Sequence, residues 1–213
     1  MKPILVMTAV EAEKEAVLRG LRGSDRFEVA LAGVGPAAAA ANTAKVLASG
    51  DYNLVISAGI GGGFSNRAEV GSIVIANAII AADLGAETPE GYRTLDELGF
   101  GSTLVETDGQ RAERLAEAMR EVGLSAVTGP VLTVSTVTGT AETAGELAVR
   151  VPGAAAEAME GYGVAVAARL YGLPVLELRA VSNPVGPRDR SAWRIREALQ
   201  ALENASSVIM EVL

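Results

Sequence analysis

The sequence predicts an α/β protein: a single three-layer domain with a central twisted mixed β-sheet flanked by helices, spanning residues 1–213. Apolar segments of strand length alternate with segments of helical periodicity along the chain. The strand-like segments are rich in Val and Ile and show little polar alternation, which is typical of strands covered on both faces. With 213 residues, 49% of them apolar, the chain is long enough to bury one large core.

Seven segments have strand character and six have helical character. The strands are predicted at residues 4–7, 27–31, 54–56, 72–80, 125–134, 153–156 and 175–181. The helices are predicted at residues 11–19, 36–48, 110–122, 141–149, 161–171 and 191–212. Their alternation favours a largely parallel sheet, and strands 27–31 and 72–80 could run antiparallel and make it mixed.

Two helix starts and one loop carry their own signals. Pro36 follows Gly35 and suits a first helical position. Ser191 can cap the last helix, whose apolar residues recur at helical spacing. Residues 83–101 contain Gly and Pro among scattered charges and are predicted as a long loop, a feature that tends to be functional or mobile.

Composition excludes several classes of function. The net charge is −8, and Lys and Arg form no long run, which disfavours nucleic acid as a partner. Cys and His are both absent, so disulfides, thiolate chemistry and Ser-His pairs are excluded. The apolar start of the chain is too short for a signal peptide, and no window reaches the length of a membrane helix. We expect a soluble cytoplasmic protein with neither metal nor cofactor.

Asn183 is the most informative polar residue. The apolar segment 173–181 ends abruptly in Ser182-Asn183-Pro184, which places Asn183 at the open end of the sheet. A carboxamide offers an acceptor oxygen beside N–H donors, so it can read a ring edge that shows an acceptor beside a donor. A 6-oxopurine protonated on N7 has such an edge. The alternative is that Asn183 only stabilises the turn before Pro184.

Two glycine clusters follow predicted strands. Residues 33–38 match the dinucleotide pattern G-x-G-x-x-A, but Asp51, the nearest candidate for a ribose-binding acid, precedes its strand. A tight turn without a ligand is the alternative there. Residues 57–64 hold four glycines and could point backbone N–H groups into a cleft, or form only a flexible turn.

Taken together, these motifs resemble the nucleoside phosphorylase and nucleosidase superfamily over nearly the whole chain. The segments similar to methylthioadenosine/S-adenosylhomocysteine nucleosidases are residues 9–13, 33–35, 58–62, 158–160 and 182–183. Those enzymes carry Asp where this chain has Asn183. The segment that follows, residues 185–195, is similar to the futalosine hydrolase family of menaquinone biosynthesis. This resemblance implies hydrolysis of futalosine to hypoxanthine and dehypoxanthine futalosine by a homodimer or a larger homo-oligomer.

The resemblance also implies roles for individual residues. Glu13 would hold and polarise the attacking water, although a helix-dipole carboxylate is the alternative. Glu160 would accept hydrogen bonds from the ribose hydroxyls and favour the developing cation. Met159 would lie against the sugar or serve only in packing. The remaining residues expected to contact the substrate are Gly61, Gly62, Val137 and Thr138.

Recognition of the ring face and of the 5′ group is less well defined by the sequence. Relatives usually stack an aromatic side chain on the purine, and Phe64 and Trp193 are the candidates here. Arg188 and Arg190 could close over the site, where a carboxylate-bearing substrate needs a cation. Pairing with Asp189, or with other surface acids, is the alternative.

Three rival functions follow from the same residues. A phosphorylase needs an anion site, which Glu11 and Glu13 would oppose by charge repulsion. A nucleosidase could instead release adenine from methylthioadenosine, S-adenosylhomocysteine or aminodeoxyfutalosine. A nucleoside-binding protein without catalysis is a third reading, and the presence of both Glu13 and Glu160 argues against it.

Overall fold

The computed structural model describes residues 2–213, which form a mixed sheet with helices on both faces, as predicted. The strands are β1 (Ile4–Thr8), β2 (Phe27–Leu31), β3 (Leu54–Gly63), β4 (Ile73–Ala81), β5 (Gly85–Thr88), β6 (Gly91–Thr94), β7 (Leu104–Glu106), β8 (Ala126–Thr133), β9 (Ala156–Ala158) and β10 (Val175–Pro184). The α-helices are α1 (Glu11–Leu21), α2 (Pro36–Leu47), α3 (Leu95–Leu98), α4 (Gly109–Glu121), α5 (Ala141–Arg150), α6 (Gly161–Leu170) and α7 (Ile195–Val212).

The main sheet has the strand order β10-β4-β8-β9-β3-β1-β2, with β7 added alongside β4. Because β10 also pairs with β3, the five strands β3, β10, β4, β8 and β9 close into a ring. Strand β3 therefore has three partners: β1 beside its first half, β9 beside its last two residues, and β10 along most of its length.

The core lies on both faces of the sheet. Along β1, Ile4 and Val6 face the cluster formed with α1, α4 and α7, whereas Leu5 and Met7 face the cluster formed with α2 and α6. Successive strand residues point to opposite faces. A strand covered on both faces is therefore apolar throughout, as the sequence predicted.

Several predicted boundaries are wrong. Strand β3 continues through its glycines to Gly63, because β9 and β10 hydrogen-bond to both of its edges there. Strand β10 extends to Pro184 and β9 begins three residues later than predicted. Strand β2 runs parallel to β1 rather than antiparallel, whereas β4 is antiparallel to β10, as expected for a mixed sheet.

Residues 83–101 are not a loop. They form the β5–β6 hairpin and the short helix α3. A capping box starts α3: the Thr94 hydroxyl accepts from the Glu97 N–H at 3.2 Å, and Glu97 Oε2 accepts from the Thr94 N–H at 2.8 Å. The last helix also differs from its prediction, because Ser191 lies in a separate 3₁₀ turn that Asp189 caps. Helix α7 begins only at Ile195.

Candidate active site

A cavity of about 360 Å³ lies at the carboxyl ends of β1, β3 and β10. Its lining includes most of the residues predicted from the sequence: Glu13, Gly61, Gly62, Val137, Thr138, Met159, Glu160 and Asn183. Ligands in open α/β sheets bind at this edge. A larger open cleft of about 610 Å³ lies elsewhere, between β7 and the end of α6. We assign the chemistry to the smaller cavity because the buried carboxylates of Glu13, Glu157 and Glu160 line it.

Glu13 is held in place by backbone N–H groups. It lies in the first turn of α1, is 4% exposed, and accepts from Ala9 N at 2.9 Å and Val10 N at 3.3 Å through Oε2. Its other oxygen, Oε1, accepts from Ile60 N at 2.8 Å. Three backbone donors, two after the end of β1 and one within β3, thus fix the carboxylate at the wall of the cavity. One of these bonds, from Val10 at the N-cap, also closes the start of α1.

Glu160 stands opposite, at the start of α6. It is 6% exposed, and its oxygens accept from Gly35 N and Met159 N, each at 3.3 Å. The positive φ of Gly35, 90°, turns that N–H toward Glu160. The glycine motif at residues 33–38 thus anchors an acidic side chain. Asp51, the candidate for binding a ribose in the dinucleotide interpretation, pairs with Lys2 at 2.8 Å near the opposite edge of the sheet.

Arg179 is a buried cation beside the site that the sequence analysis missed. It lies within β10, is 1% exposed, and donates from Nη1 to Glu160 at 3.4 Å and from Nη2 to Ser57 Oγ at 2.9 Å. Its Nε donates to Glu177 Oε1 at 2.8 Å. A Cβ at Gly59 would lie 2.6 Å from Glu13 Oε1 and 2.7 Å from Arg179 Nη1. Only glycine at this position lets both charged groups converge.

The charges of this cluster shift one another's pKa values. Burial raises the pKa of Glu13, and the Arg179 guanidinium partly offsets the rise. Burial also raises the pKa of Glu177, against the same guanidinium. For Arg179, burial favours the neutral form, but the carboxylates of Glu177, Glu160 and Glu13 outweigh it and raise the pKa. A single buried cation therefore serves three acidic side chains.

Asn183 lies on the other side of the cavity. Its Oδ1 is 2.8 Å from Ser182 Oγ, and its Nδ2 donates to Pro184 O at 3.0 Å. The side chain passes close to Gly62, where a Cβ would lie 3.4 Å from Nδ2. The amide is half-buried and lines the cavity, so it is positioned to meet a ligand.

Glu157 is a third buried acid at the cavity. It lies in β9, is 5% exposed, and lines the cavity. Thr138 donates to it twice, from the backbone N–H to Oε1 at 2.9 Å and from the hydroxyl to Oε2. Burial raises the pKa of Glu157, and the hydrogen bonds from Thr138 oppose the rise.

The two aromatic candidates have different positions. Phe64 packs into a core cluster with Leu132 and Val185, is 5% exposed, and does not line the cavity, contrary to what its candidacy for stacking requires. The reason is that β3 ends at Gly63 and the chain turns at Phe64, whose carbonyl accepts from the N–H groups of the next turn. Trp193 lines the cavity, with the guanidinium carbons of Arg188 and Arg190 at 5.1 and 5.9 Å from its ring centroid.

Comparisons with known proteins show the family of the chain. The sequence model of the phosphorylase superfamily matches residues 9–213. A futalosine hydrolase of Streptomyces coelicolor is 51% identical, over 99% of this chain and 96% of the relative. One from Acidothermus cellulolyticus is 48% identical, over 96% of this chain and 89% of the relative. The native structure of futalosine hydrolase of Helicobacter pylori superposes with a TM-score of 0.83 at 16% identity, covering 99% and 98% of the chains, and this likeness concerns the fold alone.

Proposed function

The chain belongs to the phosphorylase superfamily and, within it, to the futalosine hydrolase family, and on that premise we propose that it hydrolyses the N-glycosidic bond of futalosine. The bond between C1′ and the purine nitrogen breaks, and the oxygen of water bonds to C1′. One proton of the water is taken up by the enzyme and returned to the departing base. The products are hypoxanthine and dehypoxanthine futalosine.

Glu13 activates the water. Its carboxylate is fixed by three backbone N–H groups, so it is already oriented before substrate arrives. Oxygen lone pairs not used by those donors remain to accept a hydrogen bond from water. A general base of this kind contributes about 10²- to 10⁴-fold to a rate.

Glu160 and Arg179 support the sugar. Breaking the bond gives C1′ and the ring oxygen positive character, and the buried Glu160 carboxylate favours that charge and accepts from ribose hydroxyls. Arg179, in contact with Glu160, is a positioning residue that orients this acid. Met159 lines the same part of the cavity and packs against the sugar.

The observation that carries the choice of base is Asn183. Its carboxamide can donate to O6 of hypoxanthine and accept from N7–H once the departing base is protonated. Adenine shows an amino donor in place of O6, so one of the two hydrogen bonds would be lost. An unmatched buried polar group costs about 1–3 kcal/mol, which is enough to select the 6-oxo base.

Glu13 also favours water over phosphate as the attacking nucleophile. Its oxygens occupy the N–H groups of Ala9, Val10 and Ile60, which are the donors an anion would need at this end of the cavity. A phosphate there would meet a fixed carboxylate instead. This supports hydrolysis over phosphorolysis.

The mouth of the cavity suits the 5′ group of futalosine, an aryl group that bears a carboxylate. Trp193 offers an aromatic face, with Arg188 and Arg190 beside it. In a protein of net charge −8, this segment concentrates positive charge where the substrate's negative end would lie. We assign aryl recognition to these three residues.

The family resemblance supports two wider parts of the proposal. The product dehypoxanthine futalosine is passed on in menaquinone biosynthesis, and the protein works in the cytoplasm as a homo-oligomer. Among residues 2–213, no helix is long and apolar enough to cross a membrane.

The test is a product assay with purified protein, futalosine and phosphate-free buffer, in which chromatography detects free hypoxanthine. Hypoxanthine at the same rate with and without phosphate supports the proposal. Turnover only with phosphate would show a phosphorylase, and turnover only of the 6-amino analogue would show an adenine-releasing nucleosidase. Binding without either product would show a non-catalytic protein.

A further inference from the structure

Glu157 and Asn183 flank a strand position that has no side chain. In the sheet, Glu157 of β9 is opposite Gly62 of β3, and Gly62 is opposite Asn183 of β10. Residues paired in this way point to the same face of a sheet. The acid and the amide therefore rise on either side of an open strip of backbone.

The width of that strip matches a purine. Neighbouring strands lie about 4.8 Å apart, so two spacings separate the Glu157 and Asn183 backbones by roughly 10 Å. This gap accommodates the polar edge of a purine with a hydrogen bond at each side. A Cβ at Gly62 would lie 2.9 Å from Val185 Cγ2 and 3.4 Å from Asn183 Nδ2. A side chain at this position would therefore intrude on the strip beside the Asn183 amide.

Glu157 has unused capacity to accept hydrogen bonds. An ionised carboxylate has about four lone-pair sites, and Thr138 uses two of them. Glu157 is 5% exposed, and within residues 2–213 it forms no salt bridge. A buried carboxylate in that position is stabilised by any further donor that a ligand brings.

A 6-oxopurine brings such a donor. It shows three groups in a row along one edge: N1–H, O6 and N7. We infer that Glu157 accepts the hydrogen bond from N1–H while Asn183 reads O6 and N7, so that Glu157 is a specificity-determining residue for the base. This inference rests on the proposed function for the identity of the substrate, but its test uses free bases.

The same contact rejects adenine. The N1 of adenine carries a lone pair and no proton, so it would face the negative charge of Glu157 without a hydrogen bond. Selection of the oxo base would then come from two residues, one at each end of the edge. In this arrangement Thr138 is a positioning residue, since it orients the carboxylate from the side away from the base.

The experiment measures binding of free bases by isothermal titration calorimetry to the purified full chain. The wild-type protein should bind hypoxanthine about 10- to 100-fold more tightly than 1-methylhypoxanthine, which lacks N1–H.

The variant Glu157→Gln keeps an oxygen that can accept from Thr138, but its amide nitrogen cannot accept a hydrogen bond from N1–H. It should lose about 10- to 100-fold in affinity for hypoxanthine, with affinity for adenine unchanged or raised. Glu146→Gln, the same change on an exposed residue of α5, should alter neither affinity.

Other outcomes would overturn the inference. An equal loss for hypoxanthine and adenine in Glu157→Gln would show a structural role, and no loss for either would show no contact. If that variant fails to fold, the wild-type comparison decides, because equal affinity for hypoxanthine and 1-methylhypoxanthine excludes a bond from N1–H. Failure to cleave futalosine, together with the expected pattern for free bases, would reject the proposed function and leave the inference standing.

Discussion

The inner end and the mouth of the cavity hold their charges in different ways. At the inner end, Glu13, Glu160 and Arg179 are 4%, 6% and 1% exposed, and each is fixed by hydrogen bonds. At the mouth, Arg188 and Arg190 are exposed and lie against Trp193. Charges fixed away from water act strongly on a transition state, whereas exposed charges are screened and contribute little each. Changes at the inner end should therefore affect kcat, and changes at the mouth should affect KM.

The largest effect should come from Glu13→Gln. The amide cannot take a proton from water, so kcat for futalosine should fall about 10²- to 10⁴-fold. Substrate binding, measured calorimetrically, should persist. Glu11→Gln in the same helical turn is the matched control, because Glu11 is exposed and should leave kcat unchanged. An unchanged rate in Glu13→Gln would remove this residue from the mechanism.

Gly59→Ala tests whether convergence of the charges matters. A methyl group there would collide with both Glu13 and Arg179 and displace them. A misplacement of about 1 Å in a catalytic group costs roughly 10²-fold in kcat. Gly145→Ala in α5 is the control: its Cβ would meet nothing within 4 Å, and helix propensity should stabilise the protein by up to about 1 kcal/mol. Full activity of Gly59→Ala would show that the cluster tolerates displacement.

Asn183→Asp should shift the preference of the enzyme from the 6-oxo base toward the 6-amino base. The ratio of kcat/KM for futalosine to that for its 6-amino analogue should fall about 10- to 100-fold, because a protonated carboxyl suits N7 and the amino group of adenine better. Asn204→Asp, on the exposed side of α7, makes the same substitution away from the cavity and should not move the ratio. The same ratio in both variants would argue against contact of Asn183 with the base.

The pH dependence of kcat/KM should show the raised pKa of Glu13. The active form is the carboxylate, so activity should rise with pH and reach its plateau only above the carboxyl's own pKa. Because burial raises that pKa above the ordinary 4.5, the acid limb should lie above pH 4.5, with a slope of about tenfold per unit below it. Burial also raises the pKa of the Glu157 carboxyl in the wild type. The acid limb should nevertheless remain in the Glu157→Gln variant, because it belongs to Glu13. A midpoint at or below 4.5 would contradict this assignment.

The smallest effect is expected from substitutions of the arginines at the mouth of the cavity. Replacing Arg188 and Arg190 together by Gln should raise KM for futalosine about two- to tenfold, with kcat nearly constant, since exposed ion pairs contribute only about 0.2–1 kcal/mol each. Higher salt should reduce the difference between the wild type and the double variant. Arg114→Gln, exposed on α4, is the control. A large fall in kcat in the double variant would contradict the assignment of kcat effects to the inner end of the cavity alone.

The sequence predicted residues at strand ends better than residues inside strands. Asn183 was found because it ends an apolar run, and Glu160 because it follows a recognisable motif. Arg179 was missed because it lies within a run that was interpreted as uniformly apolar. Its signal was nevertheless present: Glu177 and Arg179 stand two residues apart in β10, so both point to one face, and buried charges so placed pair with each other.

Fold predictions failed where tertiary pairing overrides local preference. Glycine is a poor strand residue, so the sequence predicts the end of β3 at residue 56, but partners on both edges hold the following glycines extended. Residues 83–101 form very short elements whose apolar periodicity is too brief to detect. The capping box at Thr94 was the one local indication of structure in that segment.

The glycines at the end of β3 have an implication for how specificity can diversify. In the proposed mode of binding, Gly61 and Gly62 leave a bare platform for the nucleobase, and residues on β9 and β10 flank it. Substitutions on these two flanking strands can retune which base is accepted while the platform and the water-activating acid stay untouched. Relatives on this scaffold would then exchange substrates through a few side chains, without rebuilding the machinery that breaks the bond.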